Sequence, residues 1–143
     1  RYESALTDVL ETLVEREGRE AVVGALEARY AALLRRLPSD LAELPAERRL
    51  AAVTRLLQED GFMPGWVGSA EGGTLTEHNC AIRAVAERFP ELCAAEERFL
   101  SAALGASVGL QAHVLDGCSA CEYQVQFTAP VSIGTSRPQG VKA

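Results

Sequence analysis

The sequence has a single lysine, Lys142, among its 14 basic residues, a single methionine and a single tryptophan. Aromatic residues make up only 6%. Acidic residues number 20, so the net charge is −6. A domain with that balance does not grip nucleic acid by itself, because phosphate binding needs a positive face. No stretch approaches the roughly 18 uninterrupted apolar residues of a membrane-spanning helix. There is no Gly-rich phosphate loop, no HExxH and no GxSxG, and no base is paired with a thiol nucleophile, so no enzyme chemistry is expected. Internal repeats and low-complexity segments are absent. The chain starts Arg1-Tyr2-Glu3-Ser4, without Met or a signal-peptide core, and reads as a piece of a longer protein.

What is present fits an ordinary globule. The 143 residues are 48% apolar and 24% charged, which suits one domain with a sizeable core. Thirteen of the basic residues are Arg, which reads as a high-GC codon bias rather than as chemistry.

The first sixty residues carry a helical period. Leu6, Val9, Leu10, Leu13 and Val14 predict a first helix, broken at Gly18. Val22, Leu26, Tyr30, Leu33 and Leu34 predict a second, ending near Leu37 because Pro38 disfavours helix before it. Pro45 opens a third, with Leu50, Val53, Leu56 and Leu57 on one face and Gly61 as its stop. The pattern then changes. Phe62–Val67 and Thr74–His78, joined across Glu71-Gly72-Gly73, predict a hairpin. Asn79 is placed to cap a helix over Cys80–Phe89, and a further helix runs Glu91–Leu104 to a stop at Gly105. Val108–Leu115 and Cys121–Phe127 predict a second hairpin around Asp116-Gly117. The expected fold is therefore α+β: three helices, then hairpin, two helices and hairpin, forming a small antiparallel sheet packed with helices. The expected organisation is one domain over 1–127, helical over 1–60 and cysteine-bearing over 61–127, with a flexible tail over 128–143.

The four cysteines, Cys80, Cys93, Cys118 and Cys121, all lie in the second half. Cys118-Ser119-Ala120-Cys121 is a CxxC, which places two sulfurs close enough for one centre, and the other two complete a tetrathiolate set. Spacing alone leaves three readings open: two disulfides, a four-thiolate metal centre, or unrelated buried thiols. A thioredoxin-type CxxC would need a βαβ context, and this one precedes an antiparallel strand instead. His78 and Asn79 are candidate neighbours of such a centre, although a strand residue and an N-cap are their simpler roles. Glu77 could bond to backbone near such a centre, although a solvated charge is its simpler role. Tyr123 and Phe127 read as core, and Trp66 as core or a dimer contact. His113 reads as surface, and Arg35-Arg36 and Arg48-Arg49 as solvated helix faces.

Leu75-Thr76-Glu77-His78-Asn79-Cys80-Ala81-Ile82, then Val85 to Cys93, Glu96, Phe99-Leu100 and Leu104-Gly105, and finally Gly117-Cys118-Ser119-Ala120-Cys121-Glu122-Tyr123, together resemble the C-terminal sensor domain of SufR-type transcriptional regulators. Those are helix-turn-helix proteins of the broad ArsR/DeoR-like group. The resemblance covers residues 1–127 and is specific over 75–127. Ala81 departs from the family's usual Pro, and Cys118 stands where Asp is common. The resemblance implies an iron–sulfur cluster on Cys80, Cys93 and Cys121, with [4Fe–4S] favoured over [2Fe–2S]. Cys118 joins the ligand set from spacing, and zinc is the chemical alternative. It further implies a cytoplasmic homodimer that meets DNA through a helix-turn-helix domain absent from this chain. A weaker, fold-level likeness to 4-vinyl reductase type domains offers a zinc-stabilised or small-molecule-binding domain as the alternative function.

Overall fold

The computed structural model describes residues 2–78, 83–112 and 120–127. Along them run α1 (Tyr2–Glu17), α2 (Arg19–Arg35), a 3-10 turn (Leu41–Glu43), α3 (Ala46–Glu59), β1 (Met63–Gly68), β2 (Gly72–His78), α4 (Arg83–Arg88), α5 (Glu91–Leu104), β3 (Ala106–Ala112) and β4 (Ala120–Phe127). The expected α+β order stands: five helices and a four-stranded antiparallel sheet. The tail over 128–143 and the turn at Asp116-Gly117 lie outside the described residues. Among the described residues no helix is long and apolar enough to cross a membrane.

The helix ends follow local chemistry. Gly18, at φ 92°, separates α1 from α2. At the end of α3, the Gly61 N–H donates to the Gln58 carbonyl at 3.1 Å and the Phe62 N–H to the Leu57 carbonyl at 3.0 Å. This is the Schellman pattern, and it requires the positive φ of Gly61, 97°. Phe62 is buried beyond that stop, so the cap also fixes where the chain enters β1.

The sheet order is β1-β2-β4-β3. Trp66 pairs with Leu75, and Leu75 with Tyr123, so one face carries the apolar side chains of three strands. Gly68 faces Gly73 at the hairpin end. A Cβ on Gly73 would lie 2.3 Å from the Val67 carbonyl oxygen and 3.0 Å from the Trp66 ring. The indole therefore occupies the space a side chain would need, and it packs on Phe127 with ring centroids 6.0 Å apart. Gly73→Ala is expected to lower stability by about 1–3 kcal/mol, because backbone rather than a flexible side chain must give way. Urea unfolding measures it, and an unchanged midpoint would contradict this account of the turn.

Helix α5 is the central pillar. Leu92, Ala95, Glu96, Phe99, Leu100, Ala103 and Leu104 are all buried, and it contacts α2, α3, α4 and β3. Its last turn is tied to α3 by Arg49, whose guanidinium donates to the Leu104 carbonyl at 2.9 Å and to the Leu44 carbonyl at 2.6 Å. Arg49 is thus half-buried and structural, which corrects the expectation of a solvated Arg48-Arg49 pair. The first helix also needs a correction. Leu10 is buried, but Leu6 and Val9 are 46% and 63% exposed. The apolar stripe of α1 is wider than the surface the other described residues cover.

Candidate metal centre

Two of the four cysteines fall on described elements. Cys93 lies in the first turn of α5 and is half-buried. Cys121 is the second residue of β4, is buried, and pairs with Glu77 of β2. Cys80 and Cys118 lie outside the described residues, as does Asn79. In sequence, Cys80 follows the end of β2 by two residues and Cys118 precedes the start of β4 by two. His78 and Ala120 are partners at that end of the ladder.

The direction of α5 follows from its connection. It turns at Gly105, in the left-handed conformation at φ 60°, directly into β3. Strand β3 is antiparallel to β4, so α5 runs the same way as β4. Both start at the end of the sheet where β2 finishes. Cys93 and Cys121 therefore sit toward one end of the domain. A thiol in the first turn of a fourteen-residue helix also gains from the positive end of the helix dipole.

Between those two elements lies a buried polar cluster that the sequence reading missed. Glu77 and Glu96 are 2% and 6% exposed. The expectation of a solvated Glu77 is therefore overturned. Its place on the Leu75 face of β2 takes it inward with Leu75. The two carboxyl groups are hydrogen-bonded to each other. Tyr123 Oη donates to Glu96 Oε1 at 2.5 Å, and Tyr30 Oη makes a longer contact of 3.5 Å with Glu96 Oε2. Tyr30 in turn stacks at a tilt on Phe99, centroids 5.6 Å apart.

Burial pushes the Glu77 carboxyl up to about 10, with the charge of Glu96 and the hydrogen bond between them adding to the rise. Burial also raises Glu96, while the donors Tyr123, Glu77 and Tyr30 and the nearby Arg29 partly offset this. Two carboxylates cannot both ionise at hydrogen-bond distance in a dry site. Burial thus drives both carboxyls toward their neutral forms, and the Tyr123 and Tyr30 hydroxyls face Glu96. Both phenols are raised well above their ordinary range by burial, then by the charge of Glu96. The thiols sit close enough to join this electrostatics, Cys93 acting on Tyr30 and Cys121 on Tyr123.

Glu96 was legible in retrospect. It stands four residues after Leu92 and four before Leu100, in the middle of an apolar stripe. A charge on such a stripe is informative in a way that an exposed one is not. Tyr123 is core, as expected, but its hydroxyl does more than fill space. His78 is exposed at the end of β2, on the opposite face from Glu77. Trp66 and Phe127 are partly buried against the core, and His113 lies outside the described residues.

Among the described residues no group of three or more His, Cys, Asp or Glu is placed to hold a metal ion. The two described cysteines alone could not form one. What the described residues do offer is compatible with a thiolate-bound group. They provide two thiols toward one end of the domain. A cavity of about 720 Å³, lined in part by Leu34, Leu37, Arg49 and Ala103, lies at the other end of α5 and takes no part in this cluster. No family model, curated protein or solved structure matches the chain.

Proposed function

We propose that this chain is the iron–sulfur sensor domain of a bacterial transcriptional regulator, with Cys80, Cys93, Cys118 and Cys121 holding the cluster. The observation that carries the reading is the shared end of α5, β4 and β2. One described cysteine opens α5, another opens β4, and the remaining two adjoin β2 and β4 in sequence. Soft thiolates tolerating long gaps are what an iron–sulfur group requires. A bound cluster of this kind supplies sensitivity to oxidants and to iron supply.

The chain's own residues account for how the site communicates. Arg19, at the start of α2, forms a two-pronged ion pair with Glu91 at 2.7 and 2.8 Å and donates to the Arg88 carbonyl at 3.1 Å. Its guanidinium also lies over the Phe89 ring, 5.0 Å from the centroid. Arg88 pairs with Glu11 of α1. The α4–α5 junction, two residues from Cys93, is therefore gripped by the α1–α2 hairpin. A shift at the start of α5 would reach α2 through Arg19 and the Tyr30–Glu96 contact, and α1 through the Arg88–Glu11 pair. Leu6 and Val9, exposed on α1, are suited to a homodimer face. In this reading the protein is cytoplasmic, and DNA is bound by a separate helix-turn-helix domain rather than by this acidic one.

Cys93→Ser is the direct test. Serine keeps the shape but removes the soft ligand, so anaerobically purified variant is expected to lose most of its iron and sulfide while keeping its helix content by circular dichroism. Unchanged iron and sulfide would refute the ligand assignment.

A further inference from the structure

The cavity of about 720 Å³ at the far end of α5 is bounded by the last turns of α2 and α5 and by the 3-10 turn. Leu37, Leu41 and Ala103 are buried in its wall, and Leu34 stands beside them 37% exposed. Small ligands occupy cavities of about 300–1,000 Å³ with mostly apolar walls and a few placed polar groups. The charged residues lining this one are Arg35 and Arg49, with no acid among them. That is unexpected in a chain with 20 acidic residues against 14 basic. Nearby arginines are matched: Arg36 pairs with Glu59 at 3.1 Å, and Arg29 with Asp60. Among the described residues Arg35 and Arg49 belong to no ion pair. Arg49 is anchored through Nε and Nη1 on the carbonyls of Leu104 and Leu44. Those carbonyls fix the planar fork without cancelling its charge, and neither bond uses Nη2.

A smaller cavity of about 180 Å³ shares Leu34 and Ala102 with the first and continues along the α2–α5 groove over Ala31, Ala95 and Phe99. Its two charged residues, Glu27 and Arg98, neutralise each other at 2.6 Å. The joined space is therefore cationic in one part and neutral and apolar in the other. We propose that it binds a small organic anion, a carboxylate carried on an apolar tail. Arg49 and Arg35 take the carboxylate, and the tail lies on Leu34, Leu37 and Ala103 toward the α2–α5 groove. A singly charged carboxylate fits better than a doubly charged phosphate. The carbonyl ends of α2 and α5 both border the cavity, and negative charge is disfavoured at a helix C-terminus. The site is separate from the cysteines, so the inference does not rest on the iron–sulfur reading.

The experiment titrates the anaerobically purified chain with decanoate below its micelle-forming concentration, by calorimetry and by amide NMR. Saturable binding is expected, with shifts centred on Leu34, Leu37 and Ala103. Arg35→Gln is expected to weaken it by about tenfold or more, the worth of a charge-assisted hydrogen bond. Leu34→Glu, which places an acid beside the cavity, should abolish it. Both positions are exposed, so both variants are expected to fold. Arg48→Gln, an exposed charge change outside the cavity, should match wild type. Decanol should bind at least about tenfold more weakly than decanoate, and acetate not measurably. No binding of decanoate, or binding unchanged in Arg35→Gln and Leu34→Glu, would overturn the proposal. Decanol binding as tightly as decanoate, or decyl phosphate binding more tightly, would overturn the carboxylate assignment.

Discussion

Glu96→Ala is expected to lower the stability of the metal-free protein by about 3–5 kcal/mol. The side chain is 6% exposed. Its removal strands the Tyr123 hydroxyl, the Tyr30 hydroxyl and the proton of Glu77 in a dry interior, each costing about 1–3 kcal/mol when unpaired. A cavity in the middle of α5 adds to the loss. Glu96→Gln should cost far less, about 1–2 kcal/mol, because the amide oxygen still accepts from a phenol and the volume is kept. Tyr123→Phe should fall in the same range, since it removes one donor and leaves the ring. Urea unfolding of the three variants orders them. A Glu96→Ala protein as stable as Glu96→Gln would show that the cluster fills space without being a network. Replacing one member of a satisfied buried set is costly even where replacing the whole set would not be.

The stability of the metal-free protein is expected to fall as pH rises across the neutral range. The sign follows from Glu77. Its folded-state pKa is raised from the ordinary 4.5 to about 10, so the folded chain keeps a proton that the unfolded chain releases. The contribution is complete below about pH 4.5 and is lost progressively as pH climbs toward 10. The slope approaches about 1.4 kcal/mol per pH unit while only the unfolded chain is ionised. Glu96, also raised by burial, adds a contribution of the same sign, and Tyr30, Tyr123 and Cys121 face the pair. Below pH 5 an opposite trend enters. Glu91 is held below the usual carboxylate range by its hydrogen bond from Arg19, and that support is lost as pH falls through its folded value. Metal-free protein should therefore be most stable at mildly acidic pH. Glu77→Gln should flatten the decline between pH 5 and 9. Unfolding midpoints measured across that interval check it, and an equal decline in both proteins would contradict the assignment.

The fold was readable because its punctuation is chemical. Gly18, Pro45, Gly61 and Gly105 each stand at an element boundary, and three of the four are positive-φ glycines. The alternation over Cys121–Phe127 gave a strand that the structure extends by one residue, to Ala120. The α1 stripe was over-read, because periodicity shows that a face is apolar and not that this chain covers it. Leu6 and Val9 carry the period and stay exposed.

The site was only half readable. Cysteine stands out in any sequence, so the thiols were found by counting. The carboxyl pair was not, because Glu is ordinarily solvated and nothing local marks the exceptions. The information lay in period: Glu77 two residues from Leu75 on a strand, Glu96 four from Leu92 and Leu100 on a helix. Only the tertiary register, which sets Glu77 against Cys121 and brings α5 alongside, turns two unremarkable acids into one buried pair. Arg19 was hidden for the same reason, since its partner Glu91 is 72 residues away.

The most direct test of the central claim is iron, zinc and acid-labile sulfide analysis of anaerobically purified protein, with its visible spectrum. Iron and sulfide in matching amounts, with broad visible absorption, is the expected result. Stoichiometric zinc in a colourless protein without sulfide would contradict it, and would make the four cysteines a structural clasp.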